Sequence, residues 1–194
     1  MLLILGVAYA LSIVCLPKKG VSSVERSIYC WYAFDGLTHL IVEASFVYLS
    51  IFGRTVATSS GPFAELWKEY GRADIRWLHA APDVVALEIL TVLGAGPLCL
   101  YMLYAMAKNR PDRHFWQIVL CTAELYGGWM TFCPEWLTGS KYLVTDDPLL
   151  LWVYLVFFNG LWVVIPIGLM IQSYVALTST NSSQIKAKIA RKEL

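Results

Sequence analysis

Charged residues are scarce in this sequence. Only 15% of its 194 residues are Asp, Glu, Lys or Arg, and the formal net charge is +1. A nucleic-acid-binding surface needs a basic patch interleaved with aromatic residues, and the sequence contains no such patch. The hydrophobic content of 58% and the mean hydropathy of +0.58 also leave too little polar surface for a soluble domain. The composition therefore argues against nucleic acid as a partner and indicates a membrane protein.

Several sequence motifs that indicate a bound cofactor or metal are also missing. The sequence has no phosphate-binding loop, no nucleotide fingerprint and no H-E-x-x-H pair. Its cysteines form no C-x-x-C pair, so neither a zinc site nor a disulfide framework is predicted. We interpret all five as small helix-packing residues: Cys15, Cys30, Cys99, Cys121 and Cys133. We therefore expect no metal and no cofactor.

Long apolar stretches dominate the chain. About 20 apolar residues suffice for a helix to cross a ~30 Å hydrocarbon core. Five stretches qualify, the first of them short: 1–16, 27–52, 83–107, 114–133 and 149–174. Strand-type alternation is absent. We therefore predict an all-α integral membrane protein, with a five-transmembrane-helix bundle over 1–177 and a basic cytosolic tail over 178–194. Helix kinks are expected at 94–97 and near Pro166.

The positive charges of the loops predict how the chain is oriented. Lys and Arg are retained on the cytosolic side of a membrane. Three segments are basic, and they alternate with one balanced and one acidic loop: Lys18, Lys19 and Arg26; Lys108, Arg110 and Arg113; and Lys186, Lys188, Arg191 and Lys192. Five crossings with a cytosolic C-terminus place all three basic segments on the cytosolic side and the other two loops on the opposite side. The ending 191–194 resembles a dibasic retrieval signal, which favours the endoplasmic reticulum membrane.

Ionisable side chains occur inside the apolar stretches. Each costs at least ~2.5–3.5 kcal/mol to insert, so such residues are functional candidates by default. Asp35, His39 and Glu43 are spaced by four residues, which places them on one face of a helix. The other stretches carry polar or amphipathic groups at a similar depth: Glu88 with Thr91, Glu124 with Tyr126, and Asn159 with Trp162. We predict that these groups share a polar cavity inside the bilayer.

Each candidate residue also has a purely structural interpretation. Asp35 lies two turns from the cytosolic end and can be hydrated there, and His39 can be an interhelical hydrogen bonder. Glu124 can be a neutral packing residue, and Trp162 can face lipid. Five aromatic residues near the loops are interpreted as interfacial belt residues: Trp67, Tyr70, Trp77, Trp136 and Tyr142.

A His–carboxylate pair in such a cavity is suited to proton transfer. A low dielectric favours the neutral forms, so the pair can hold a proton near neutral pH. Aromatic faces nearby can stabilise a transient cation, an attraction worth ~2 kcal/mol or more when desolvated. With no activated nucleophile in the sequence, the residues indicate protonation and deprotonation of a lipid-like substrate.

A resemblance to a known family strengthens this interpretation. It spans 30–171 and depends on several motifs together: CW at 30–31, GLTHLIVE at 36–43, LWKEY at 66–70, GP at 96–97, LYG at 125–127 and NGLWVVIP at 159–166. The chain resembles the emopamil-binding protein family, the sterol Δ8–Δ7 isomerases of the wider EXPERA group. The resemblance implies a five-helix bundle in the endoplasmic reticulum membrane. It also implies a cofactor-free reaction, in which an alkene is protonated and a neighbouring carbon is deprotonated.

The resemblance also implies roles for the candidate residues. His39 and Glu43 are the proton-handling pair, and Glu88 stabilises the cation or relays a proton. The remaining candidates are expected to contact the substrate: Asp35, Thr91, Glu124, Tyr126, Asn159 and Trp162. Three positions depart from the family pattern, where Gln, Gly and an acidic residue are usual: Glu124, Ala44 and Ala81. The substrate can therefore be a sterol or another polycyclic isoprenoid, rearranged by a double-bond shift, a methyl shift or a ring closure.

Other functions are compatible with the same residues. A non-catalytic protein that binds sterols or amphiphiles would use the same pocket. A proton-coupled transporter is a weaker alternative, because five helices without an inverted repeat offer little for alternating access. The sequence leaves open whether the chain forms a homodimer.

The predicted orientation can be tested at Asn181, which begins the sequon Asn181-Ser182-Ser183. A cytosolic tail never meets the glycosylation machinery, so Asn181 should stay unmodified. The measurement is the gel mobility of the microsomal protein before and after endoglycosidase treatment. As a control, Thr58→Asn creates a sequon in the second loop, which should be glycosylated. A mobility shift that Asn181→Gln removes would reverse the orientation.

Overall fold

The computed structural model describes residues 1–17 and 20–190, with 180–190 as backbone alone. Lys18, Lys19 and the retrieval-like ending 191–194 lie outside the described residues, as do the side chains of Asn181, Lys186 and Lys188. Within the described residues the chain is helical and contains no β-sheet. An isolated β-bridge joins Asp74 and Leu143. The prediction of an all-α fold is confirmed.

Six helices make up the described chain, joined by turns and one short 3-10 segment, Ile75–Trp77. They are α1 Leu2–Cys15, α2 over 23–50, α3 Pro62–Tyr70, α4 Pro82–Ala107, α5 Arg113–Leu137 and α6 over 150–190. Each predicted stretch is a helix, and α3 is an additional one. α5 continues past Cys133 because Pro134 removes one hydrogen bond without ending the helix. α6 extends the helix through the predicted tail to Ala190.

Two of these helices, Pro82–Ala107 and Leu150–Ser179, are long and apolar enough to cross a membrane. Large apolar side chains point outward along α6, where Val164 is 71% exposed and Ile171 is 60% exposed. Such a surface is stable in contact with lipid and unfavourable in water. The structure therefore supports a membrane protein, while five crossings remain a prediction.

Three helices contain π-helical segments, namely Thr38–Glu43 in α2, Thr91–Ala95 in α4 and Leu150–Phe158 in α6. The π segment Thr91–Ala95 overlaps the kink expected at 94–97, and the kink expected near Pro166, which lies inside an α-helical segment, remains a prediction. Pro97 lies in the first turn of the α-helical segment that follows, where a missing N–H disturbs little. Single π turns of this kind often mark functional sites.

Two glycines let α2 and α4 approach each other closely. A Cβ added to Gly96 would lie 2.7 Å from Leu40 Cδ2 and 3.3 Å from His39 Cβ. A Cβ added to Gly36 would lie 3.0 Å from Cys99 Cβ. A Cβ at either position would crowd a side chain of the other helix, so that this side chain would have to shift. The two glycines therefore favour a close approach of the two helices that carry most of the ionisable candidates.

The loop between α2 and α4 folds back onto the helix ends. Trp67 and Trp77 are buried and stacked, with ring centroids 4.8 Å apart and planes 4° apart. The Trp67 indole donates to the Val42 carbonyl at 3.2 Å and to the Ser45 hydroxyl at 3.0 Å. The prediction that these two tryptophans are belt residues is wrong, because their rings form an apolar core under the loop. Trp136 and Tyr142 are exposed, as a belt requires.

Arg76 holds this loop to two other helices. Its side chain is buried and binds both oxygens of Asp74, at 2.9 and 2.6 Å. It also donates to Asp83 at 3.2 Å, at the start of α4, and to the Thr131 carbonyl of α5 at 2.9 Å. Burial alone would lower the pKa of the Arg76 guanidinium, but the hydrogen bonds and charge of Asp74 outweigh burial and raise it. The guanidinium therefore stays charged and joins three segments.

Replacing Arg76 should destabilise the fold strongly. Arg76→Ala leaves the buried Asp74 carboxylate unpaired, and breaking such a pair costs about 3–5 kcal/mol. Arg72→Ala is the matched control, because its ion pair with Glu69 is exposed and worth less than about 1 kcal/mol. Thermal unfolding in detergent compares the two variants. Equal losses of stability would contradict the role of Arg76.

Candidate functional site

The ionisable residues of α2 meet around one imidazole. His39 Nδ1 lies 2.5 Å from Glu43 Oε2, and His39 Nε2 lies 3.1 Å from Asp35 Oδ1. The second contact has ion-pair distance without hydrogen-bond alignment, so Nε2 has no hydrogen-bond partner among the described residues. Asp35 and His39 are buried, which excludes the alternative that Asp35 is hydrated at a helix end. The predicted common face is present.

Helix α4 completes the surroundings of Glu43. The Thr91 hydroxyl lies 2.7 Å from Glu43 Oε2, to which it donates, and 3.0 Å from the Glu88 carbonyl. The Glu88 side chain is buried and close enough to interact with the charges of Glu43 and His39. Its Oε2 has no hydrogen-bond partner in the described part of the chain. Glu43, Glu88 and Thr91 therefore lie together beside His39, as predicted.

Asp35 is held by two donors from other helices. The Trp162 indole N–H of α6 donates to Oδ1 at 2.7 Å, and the Cys99 thiol of α4 donates to Oδ2 at 3.1 Å. The Trp162 ring also packs against Trp31, with centroids 5.5 Å apart. Trp162 therefore faces the interior of the protein. Cys99 is a member of the site that sequence reasoning missed, because a lone cysteine in an apolar helix gives no signal.

Glu124 reaches the same cluster from α5. Its side chain is only 8% exposed, and neither carboxyl oxygen accepts a hydrogen bond from a donor among the described residues. It lies near enough to Asp35 and His39 to interact with both. We call the group Asp35, His39, Glu43, Glu88, Thr91, Cys99, Glu124 and Trp162 the His39 cluster.

Two predicted substrate contacts lie outside the His39 cluster. Asn159 donates to the Leu155 carbonyl at 2.8 Å and to the Tyr70 hydroxyl at 3.1 Å, so it supports the end of a π segment and binds the loop. Tyr70, expected in the interfacial belt, is therefore a partner of Asn159. Tyr126 is 56% exposed, and the structure does not bring it to the cluster. Two residues correspond to about 200° of helix rotation, so Tyr126 lies on the face opposite Glu124.

Part of the His39 cluster has the composition of a metal site. Asp35, His39 and Cys99 each offer one ligand atom, and these atoms lie within 4.8 Å of one another. The same atoms already form an ion pair and a hydrogen bond with each other. The three side chains are therefore partners of one another, and the expectation that the site uses no metal remains a prediction.

A groove of about 780 Å³ lies beside the cluster, between α1, α2 and α6. Its lining is almost entirely apolar and includes Trp31, Phe34 and Leu161. None of the residues predicted to be catalytic lines this groove, although Trp31 and Phe34 contact the Trp162 ring. The predicted cavity around His39 itself therefore remains a prediction.

The fold and the cluster together define an α-helical membrane protein with a buried histidine–carboxylate network. The model of one family, EBP or EXPERA (expanded EBP superfamily), matches residues 62–173. The chain belongs to this family, which confirms the resemblance found in its motifs.

Curated relatives extend over most of the chain. The "probable 3-beta-hydroxysteroid-Delta(8),Delta(7)-isomerase" of Oryza sativa subsp. japonica is 33% identical over 88% of this chain and 77% of its own length. The 3-beta-hydroxysteroid-Delta(8),Delta(7)-isomerase of Mus musculus is 31% identical over 81% of this chain and 67% of its own. An isomeliandiol synthase of Ailanthus altissima is 30% identical over 84% and 74%. The relatives are therefore enzymes of two kinds, isomerases and synthases.

Loss of the hydrogen bond from Trp162 to Asp35 should lower the stability of the protein by a measurable amount. Trp162→Phe removes the donor and leaves a buried carboxyl oxygen with one partner fewer, at a cost of about 1–3 kcal/mol. Trp31→Phe is the matched control, because the Trp31 indole N–H has no partner among the described residues. Thermal unfolding in detergent should show the larger loss for Trp162→Phe. The reverse order would mean that the contact with Asp35 contributes nothing.

Proposed function

We propose that this protein is an isomerase that acts on a sterol or a related polycyclic isoprenoid by protonating an alkene. The observation that carries the proposal is His39, held 2.5 Å from Glu43 and 3.1 Å from Asp35 in a buried cluster. Relatives named as sterol isomerases and as an isomeliandiol synthase support the substrate class and an enzymatic role. The reaction is a double-bond shift or a rearrangement of the same cation.

The charge balance of the cluster supports its role as a proton source. Four buried or nearly buried carboxyl groups surround a single histidine. Several uncompensated negative charges cannot be buried together, because each costs several kcal/mol to remove from water. Most of the carboxyl groups must therefore carry protons, which leaves acids available beside an apolar substrate.

The reaction follows from the positions of these groups. The His39–Glu43 pair gives a proton to one alkene carbon, and the adjacent carbon becomes a carbocation. The carboxylates and the ring of Trp162 stabilise this cation by electrostatic and cation–π attraction. The same pair, or Glu88, then takes a proton from a neighbouring carbon. One proton enters and one leaves, so the enzyme returns to its starting state without a cofactor.

We further propose that the chain crosses the endoplasmic reticulum membrane five times with a cytosolic C-terminus. The starts of α2 and α5 lie at one end of the bundle, because Arg113 donates twice to Glu25 at 2.7 Å. Both starts are preceded by basic loops. The apolar groove between α1, α2 and α6 would admit the hydrocarbon part of a substrate from the lipid.

A non-catalytic binding protein is the second candidate. The observation that favours it is the groove itself, whose lining includes none of the proton-handling residues. Binding without conversion across a panel of sterols and triterpenoids would support this alternative.

The test is conversion of a Δ8 3β-hydroxysterol, and of polycyclic triterpenoids, by microsomes in heavy water. A shift from Δ8 to Δ7 adds a proton to carbon 9 and removes one from carbon 7, so each product should carry solvent deuterium at the protonated carbon. Glu43→Gln and Glu88→Gln should lower turnover by about 10²–10⁴-fold, the usual contribution of general acid–base catalysis. Glu65→Gln, at an exposed position paired with Lys68, is the control and should keep full activity.

Two results would contradict the proposal. One is product that contains no deuterium, since protonation would then play no part. The other is full activity of both site variants while the protein elutes normally on size exclusion.

A further inference from the structure

The two nitrogens of His39 face two different carboxyl groups. Nδ1 contacts Glu43, which accepts a hydrogen bond from Thr91 and interacts with Glu88, both of α4. Nε2 faces Asp35, which accepts a hydrogen bond from Trp162 of α6 and interacts with Glu124 of α5. The imidazole therefore separates two carboxyl pairs, which we call the Glu43–Glu88 pair and the Asp35–Glu124 pair. The family roles assigned above use only the first of them.

Asp35 is the ionised member of its pair. An indole nitrogen offers only a donor, and Trp162 donates to Oδ1 at 2.7 Å. The Cys99 thiol donates to the other oxygen at 3.1 Å, and His39 Nε2 lies 3.1 Å from Oδ1. Trp162 of α6, Cys99 of α4 and His39 of α2 therefore all approach the two carboxyl oxygens of Asp35. An ionised carboxylate accommodates these contacts best.

Glu124 is the protonated member of the same pair. Its carboxyl group is buried, lies close enough to Asp35 to share a proton with it in a side-chain hydrogen bond, and accepts no hydrogen bond from a donor within the described chain. Two neighbouring carboxyl groups in a low dielectric do not both ionise, so the proton stays on the one without donors. A protonated Glu124 beside an ionised Asp35 can donate its proton to that carboxylate. The two groups therefore form a proton-sharing pair on the Nε2 side of His39.

We propose that the Asp35–Glu124 pair is a second proton-handling site, which helps to decide which carbon of the substrate cation loses its proton. This inference rests on the proposed function. The His39–Glu43 pair protonates the alkene, as proposed above, and the cation can then be deprotonated from either side of His39. When the Asp35 carboxylate accepts the departing proton, directly or through Glu124, His39 carries a proton back from its Nε2 side to its Nδ1 side. The proton count is restored after each turnover.

The position of the base has a direct chemical consequence. Protonation of a Δ8 sterol at carbon 9 leaves the cation at carbon 8, and loss of a proton from carbon 7 gives the Δ7 product. Loss of a proton from carbon 14 of the same cation gives the Δ8(14) product. Bases on opposite sides of the substrate favour different carbons, so an added carboxyl group changes the product distribution rather than the first step.

The test compares product ratios for a Δ8 3β-hydroxysterol in heavy water. Glu124→Gln keeps the shape and neutrality of the side chain but cannot transfer a proton. It should change the ratio of deprotonation products by at least about tenfold, which corresponds to about 1.4 kcal/mol between competing steps. Total consumption of substrate and deuterium incorporation are measured in the same assay, so that a changed ratio is distinguished from a loss of the protonation step. Glu65→Gln should change neither quantity.

Each outcome separates the two proposals. An unchanged product ratio in Glu124→Gln overturns the second site and leaves the proposed function intact. Loss of all turnover in a folded Glu124→Gln variant also overturns it, because Glu124 would then belong to the protonating pair. If that variant does not fold, Asp35→Asn is tested by the same ratio, and an unchanged ratio overturns the proposal. Product without deuterium from the unmodified protein would instead reject the proposed function.

Discussion

The structure depends on the pairing of one buried histidine with carboxyl groups from its own helix. An imidazolium or a carboxylate removed from water costs several kcal/mol unless a partner compensates it. His39 has carboxyl oxygens at 2.5 and 3.1 Å on its two nitrogens, and each of those carboxyl groups is held by further donors. Helices α4 and α6 supply donors to these carboxyl groups, so the pairing joins three helices through buried polar contacts.

The backbone around the His39 cluster is adapted to this need. Thr38–Glu43 and Thr91–Ala95 are both π-helical, and both contribute residues of the cluster. Gly96 and Gly36 allow α2 and α4 to approach until the Thr91 hydroxyl reaches Glu43. An irregular turn and a missing Cβ each cost some stability, and here both occur where polar side chains must meet.

A second polar centre organises the loop between α2 and α4. Arg76 binds Asp74, Asp83 and the Thr131 carbonyl, and the stacked Trp67 and Trp77 rings fill the space below. Tyr70 extends from this loop to Asn159 of α6. The loop therefore packs against the helix bundle beside the site. Trp67 and Tyr70 of the family motif LWKEY make these contacts instead of facing a membrane interface.

The sequence by itself determined the helical class, the five apolar stretches and the face shared by Asp35, His39 and Glu43. These features follow from local rules, since hydropathy and helical periodicity need no knowledge of neighbouring segments. The family also followed from the sequence, because several separate motifs matched together. Position along an apolar stretch likewise predicted Glu124 and Trp162 near the bilayer centre and Glu88 in the half away from the cytosol.

Only the tertiary structure decided which partners these residues have. Cys99 gave no signal in the sequence and Tyr70 was interpreted as a belt residue, because their contacts are with Asp35 and Asn159 on other helices. Tyr126 was expected in the cluster, but helix rotation places it on the opposite face of α5, and Asn159 donates its hydrogen bonds to Leu155 and Tyr70. Contacts between helices depend on crossing distance, rotation and local winding. These quantities are set by the packing of all the helices together, so no single segment encodes them.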